Sequence, residues 1–383
     1  MSAEDFFQQL QNHFKENFPL VAYKKPNGSS LKAFLQLNAE VYQAETFLER
    51  GFVFAPFNSE EKSILFPLEH SEQISSSIDL DYLNFEITKD HRAEVSNQNE
   101  SKRHHINLVE RGISAINDNS FQKIVLSREV IINKVPNDTL KLFRKLLSEY
   151  SDAFVYLWFH PKVGLWMGAT PETLLQVKGL NFKTMALAGT SSAQSTAEVN
   201  WDDKNLTEQN IVVTYIKNSL NPIVDNLNIS APKTVKAGTL FHIRSDISGL
   251  LNSDKNNLKI LIESLHPTPA VCGLPKDKAK AFIVKHENYK RDFYTGFLGE
   301  LNLTNSQSRN TNRRNVENNA YGIVRKSTEL FVNLRCMKLN KKSISIYVGG
   351  GITKDSEPES EWEETVNKSK TMLNVLKDLE KDG

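Results

Sequence analysis

Apolar and polar positions along this chain switch repeatedly between a helical and a strand period. Residues 4–17 (EDFFQQLQNHFKEN) carry apolar side chains at helical spacing and predict a helix. Pro26-Asn27-Gly28 marks a turn, after which LKAFLQL (31–37) and GFVFAPF (51–57) read as short strands. Residues 73–101, rich in Ser, Asp, Glu and Asn, read as a polar surface loop, and 101–119 begins a helix. FQKIVLSREV (121–130) reads as a strand, and NDTLKLFRKLLSEY (137–150) as a helix with Leu140, Phe143, Leu146 and Leu147 on one face. Three apolar stretches, 153–160, 164–179 and 182–190, then predict a β-meander with close turns. An amphipathic helix follows at 206–224. LIESL (261–265) has a helix-like apolar pattern and runs into a tight turn, with a further helix at 278–289. Residues 293–303 read as a strand, 305–319 as a solvated loop, 328–340 with 342–352 as a hairpin, and 359–376 as a terminal helix.

Many strands with a few long helices predict an α+β fold. No composition shift marks a linker, so one structural domain is expected, with 1–100 as its N-terminal part and 101–383 as the region that carries the chemistry. At 383 residues and 39% hydrophobic content the chain has the means to bury a large core. Lys and Arg (47) nearly balance Asp and Glu (46), which gives no electrostatic reason to expect nucleic acid or an anionic membrane as partner. Two cysteines, Cys272 and Cys336, make no disulfide scaffold. The chain lacks an apolar run of about 18 residues. Its start, MSAEDFF, lacks the basic-then-apolar pattern of a secretion signal, so a cytoplasmic location is expected. Neither GxGxxG nor a Walker sequence occurs.

The candidate chemistry gathers in the later two thirds. HPTPAVCG (266–273) packs a histidine, two prolines and a glycine into one turn, and Gly349-Gly350-Gly351 lets a ligand approach backbone closely. Glu361 and Glu364 project from one face of the terminal helix, with Lys368 four residues on. Oxygen ligands of that kind suit Mg2+, while the plain alternative is a solvated acidic face. Glu208, expected to open its helix, is either a further carboxylate across a cleft or ordinary N-terminal helix charge. Lys123 in FQKIVLSR is either the polar phase of a strand or an inward amine able to act as a base. Glu172, after Thr170-Pro171, is a desolvated general acid or a surface turn residue. His266 orients a ligand or caps the preceding helix. Cys272, with no metal-ligand partner nearby in sequence, reads as a small packed residue.

Taken in order, KIVLSR (123–128), GATPETLL (168–175), ALAGT (186–190), HPTPAVCG (266–273), YTGFLG (294–299) and GGGI with SEWEETVNKSKTML (349–373) resemble the chorismate-utilising enzymes, most closely their isochorismate synthases. The resemblance covers about residues 101–376. It implies two packed antiparallel sheets with helices outside and an Mg2+-dependent conversion of chorismate to isochorismate. Lys123 would activate water, and Glu172 would protonate the departing hydroxyl. Glu208, Glu361 and Glu364 would surround Mg2+. Arg335 and Lys368 would hold substrate carboxylates, with Gly189, Thr190, His266, Ala270 and Gly350 shaping the pocket and Tyr321 beside it. NLTEQN (205–210) departs from the family in lacking the histidine that commonly follows the glutamate. Other readings are a salicylate synthase, an ammonia-using relative, or a non-catalytic relative that binds chorismate-like acids. The product would feed quinone or siderophore synthesis, the quinone being preferred, with no obligate protein partner.

Overall fold

The computed structural model describes residues 1–77, 98–191, 199–237, 240–252, 257–307 and 323–376. In chain order its elements begin with α1 (Ala3–Lys15), β1 (Leu20–Lys24), β2 (Ser30–Gln36), β3 (Tyr42–Ala44), β4 (Gly51–Ala55), β5 (Ser63–Pro67) and β6 (Ser71–Ser77). Then come α2 (Gln98–Asn117), β7 (Lys123–Ile132), α3 (Thr139–Glu149), β8 (Phe154–His160), β9 (Gly164–Thr170), β10 (Thr173–Lys178) and β11 (Asn181–Ser191). They continue as α4 (Asp203–Leu220), β12 (Val224–Ile229), β13 (Lys233–Ala237), β14 (Leu240–Leu251), α5 (Asn257–Leu265), β15 (Gly273–Leu274) and α6 (Lys276–His286). The last are β16 (Phe297–Gln307), β17 (Ile323–Val332), β18 (Cys336–Leu339), β19 (Ile344–Ile352) and α7 (Pro358–Leu376).

These strands form two antiparallel sheets, ordered β15-β7-β19-β18-β9-β8-β1-β2-β6 and β12-β14-β11-β10-β17-β16-β4-β5-β3, with β13 alongside β14. The apolar runs of the sequence are continuous because many strands are covered on both faces. In β8, Val155 and Leu157 pack outward with α1 and α3 side chains, while Phe154, Tyr156 and Trp158 enter an aromatic layer between the sheets. The far face of the second sheet packs on α4 and α5 through Val212, Ile216, Leu261 and Leu265. The result is the α+β arrangement of two packed antiparallel sheets with helices outside.

Most helices lie where periodicity puts them, but several stretches differ from the sequence reading. Residues 73–77 belong to β6 rather than a loop, and β1 was not foreseen. The proposed meander does not exist as one unit: β9 lies in the first sheet and β10 in the second, and the chain crosses between them at Pro171-Glu172. The proposed 328–352 hairpin breaks in the same way. β17 belongs to the second sheet, only β18 and β19 form the hairpin, and Asn333-Leu334-Arg335 make the crossing. Both crossings fall inside apolar runs, where side-chain alternation carries no sign of a change of sheet. They run side by side: Val332 N donates to Glu172 O at 3.0 Å, and Ala169 N donates to Arg335 O at 3.1 Å. Arg335 takes a left-handed φ of 47° to make its turn. Residues 308–319 of the expected loop, and Tyr321, lie outside the described residues.

Candidate active site

The paired crossings open a cleft between the sheets, with some 840 Å3 of empty space including its mouth. Glu172 and Arg335 line it from the crossings, and Gly349, Gly350 and Gly351 from β19. Gly189 and Thr190 enter from β11, Ala270 from the 266–273 turn, Glu208 from α4, and Glu364 and Lys368 from α7. The structure thus brings most of the expected site residues to one place.

Lys123 opens β7 beneath this floor and is 0% exposed. Its Nζ sits 2.7 Å from Glu208 Oε1, yet it makes no well-formed hydrogen bond. Glu172 is buried among Thr170, Pro171 and the cleft wall. Burial pushes its carboxyl up to about 8, against the opposing charges of Lys123, Arg335 and Lys368. Glu208 goes the other way. Burial is the largest influence and works to raise it, but Lys123, together with Lys368 and Lys204, outweighs burial and holds it below the usual carboxylate range. Two carboxyls in one cleft are therefore driven to opposite protonation states, the pattern of an acid beside a fixed anion.

The helix carrying Glu208 begins earlier than its apolar pattern indicates. Asp202 caps α4 by accepting from Asn205 N, so Glu208 lies in the second turn and Lys204 in the first. That offset turns Glu208 toward Gly351, where a Cβ would collide with Glu208 Oε1 and come within 3.0 Å of Lys123 Cε. A Cβ on Gly350 would come within 3.2 Å of Glu361 Oε2 and 3.4 Å of Glu364 Oε1. The glycine run is thus a shelf with Glu208 packed at Gly351 and Glu361 and Glu364 packed at Gly350. Its position is fixed by pairing with β7, Gly351 opposite Val125.

Among the described residues, no three or more His, Cys, Asp or Glu side chains are drawn together as a metal-binding group. Each of the three carboxylates faces a lysine instead: Glu208 faces Lys123, Glu361 faces Lys204 and Glu364 faces Lys368. The donor set still fits a hard cation. It is all oxygen, it meets at a glycine shelf, and Glu361 Oε2 is buried with no hydrogen-bond partner. Burial, then the nearby Glu364, raises the Glu361 carboxyl, against the pull of Lys204.

On the opposite wall Arg335 is held by a histidine the sequence reading missed. Arg335 Nη2 donates to His242 Nε2 at 2.9 Å, which leaves the His242 Nδ1 proton to donate to Gly189 O at 2.7 Å. Burial, and then the Arg335 charge, pushes His242 down to about 3, so it stays neutral and locks the guanidinium beside Gly189. A lone histidine in a strand (FHIRSDISG) offers no spacing by which to find it. Lys368 is steadied by Gly349 O at 2.9 Å as well as by Glu364. His266 is a correction: it does not line this cleft. It is buried, with Nε2 3.0 Å from Pro56 O, and its role is to bind the turn to the loop after β4. The turn points Ala270 and Val271 into the cleft instead.

Comparison with other proteins supplies the family to set beside this geometry. The chain is 29% identical to the isochorismate synthase DhbC of Bacillus subtilis, over 70% of this chain and 67% of that protein. It is 28% identical to the isochorismate synthase MenF of Escherichia coli, over 70% of this chain and 59% of that protein. The structure of MenF, the menaquinone-specific enzyme of Escherichia coli, superposes with a TM-score of 0.73 at 22% identity, covering 94% of this chain and 89% of that one. A family model described as chorismate binding enzyme matches residues 57–307, and a second of the same description matches residues 307–374. With matches running from the loop after β4 into the carboxylate helix, this chain belongs to the chorismate-binding enzymes.

Proposed function

We propose that the protein is an isochorismate synthase that converts chorismate to isochorismate with the help of Mg2+. The observation that carries this reading is the pairing, across one cleft, of a buried amine that lacks a well-formed hydrogen bond, Lys123, with a carboxyl that burial keeps protonated, Glu172. A site that only bound a diacid would need neither.

In this reading Arg335, fixed by His242, and Lys368 take the substrate's carboxylates, the guanidinium by its planar fork. Glu208, Glu361 and Glu364 would hold Mg2+. When bound, the ion supplies positive charge that neutralises and orients the ring carboxylate. Lys123, having given up its proton to reach the reactive form, accepts one from water as that water's oxygen bonds to ring carbon 2. The ring double bonds shift, and the hydroxyl on carbon 4 leaves with the proton of Glu172, so one water is taken up and one released. Lys123 ends protonated and Glu172 ionised, and proton exchange with solvent resets both. The cleft contributes placement and matched acid–base groups.

The test is product analysis after incubation of the purified protein with chorismate and Mg2+. Isochorismate, lost on chelation, is the expected product. Salicylate with pyruvate would reassign the protein as a salicylate synthase, and tight chorismate binding without any product would mark a non-catalytic relative.

A further inference from the structure

The three carboxylate–lysine pairs around the glycine shelf are not equivalent. Lys123 is fully buried beneath Gly351, and Lys368 is bound to Gly349 O as well as to Glu364. Lys204 comes from the first turn of α4 with its side chain 26% exposed, and its one hydrogen-bond partner among the described residues is Glu361 Oε1. Glu361, 1% exposed, has its other oxygen lodged against Gly350 with no partner. One buried carboxylate is therefore half satisfied by a lysine that has an open path to solvent.

Resting on the Mg2+ assignment above, we infer that Lys204 is a built-in competitor for the metal site, a cation that neutralises Glu361 until a divalent ion displaces it. Three carboxylates and three ammonium groups balance. Adding a divalent ion while all three lysines stay would leave a buried excess of positive charge, which a low-dielectric site tolerates poorly. Withdrawal of Lys204 relieves that excess at the least cost, because it breaks one contact and rehydrates an amine already near the surface. Withdrawal also frees Glu361 Oε1 beside the already bare Oε2. The device keeps the empty site intact and sets how tightly metal binds, independently of the acid–base pair.

The test uses the full chain and Mn2+ as a probe, its free fraction read by electron paramagnetic resonance without chorismate. Lys204→Met is expected to bind Mn2+ at least tenfold more tightly than the unmodified protein, whereas Lys204→Arg, which keeps the cation, binds no more tightly. Acetic anhydride labelling read by mass spectrometry reports the displacement itself: Mg2+ should raise acetylation of Lys204 several-fold. Unchanged or weaker Mn2+ binding by folded Lys204→Met, or Lys204 labelling that Mg2+ leaves unchanged or lowers, would overturn the inference. If the unmodified protein binds Mn2+ and turns over chorismate while those results fail, the lysine inference alone falls. If neither protein binds Mn2+ and turnover ignores chelation, the metal assignment falls and takes the inference with it.

Discussion

Two clusters of buried charge lie along β7 and differ in how fully they are satisfied. At one, Arg291 spends all five N–H donors. It reaches both oxygens of Glu287, at 2.8 and 2.6 Å, the carbonyls of Val271 and Val125, at 2.9 and 2.8 Å, and Thr295 Oγ1, at 3.3 Å. Glu287 also accepts from the backbone and hydroxyl of Ser127 at 2.8 and 2.7 Å. At the other, Lys123 Nζ makes no well-formed hydrogen bond and Glu361 Oε2 has none. The first cluster stitches the 266–273 turn to the strand that carries Lys123, and it has nothing left to offer a ligand. The second leaves valences open where the cleft can use them. A bare polar atom is not enough by itself, since both ring nitrogens of His105 also lack partners where that ring packs near Trp362. What marks the second cluster is that its open valences lie directly behind Gly350 and Gly351, which line the cavity together with a carboxyl of raised pKa.

Substitutions should separate the clusters by which property they damage. The largest effect belongs to the acid–base pair. Lys123→Ala and Glu172→Gln should each cut kcat for chorismate conversion by about 10²–10⁴-fold, the range of general acid–base contributions. Glu172→Gln should leave thermal melting steady or raise it, because it removes a poorly satisfied buried group, whereas Lys123→Ala strands the Glu208 carboxylate and should melt lower. A fall in the melting temperature of Glu172→Gln in step with its activity would show that the acid is structural. Next comes Arg291→Met, which strands Glu287 as a buried unpaired charge. Its expected cost is about 3–5 kcal/mol in urea unfolding, as for other broken buried pairs. The protein that remains folded should keep far more activity than Lys123→Ala. An Arg291→Met protein as stable as the unmodified one would remove the contrast between the clusters.

The elements most legible in the sequence were those whose period reports burial. Phe6, Phe7 and Leu10 gave α1 its face, and Leu140, Phe143, Leu146 and Leu147 did the same for α3. The motifs carrying Lys123, Glu172, Glu208, Glu364, Arg335 and Lys368 were also readable, by resemblance, and these residues meet at one cleft. What could not be read was why they meet. Thr170-Pro171-Glu172 and Asn333-Leu334-Arg335 sit within apolar runs, and a strand buried on both faces shows no break when the chain passes to a second sheet. Pro171 was the one local cue. His242 and Lys204 were invisible for a related reason. Each acts through a partner far away in sequence, Arg335 and Glu361, and its own neighbourhood is an ordinary strand or a charged helix start. His266 misled in the opposite direction. The turn around it is part of the site wall, but the ring itself is spent on Pro56 O.

The smallest effect tests the acid more finely than its removal does. Glu172 must enter the reaction protonated, and burial has pushed its carboxyl up to about 8. Below that pH the proton is in place. Above it the acid form falls tenfold per unit, so kcat/KM at saturating Mg2+ should decline with a midpoint near pH 8. The cations around Glu172 oppose the effect of burial, and Lys368 is one of them. Lys368→Met removes a charge that favours the ionised carboxylate, so the midpoint should move to higher pH even as substrate binding weakens. A midpoint that stayed in place would mean that another group sets the alkaline limb, and Glu172 would then be no more open to the cleft's charges than Glu287 is in its closed network.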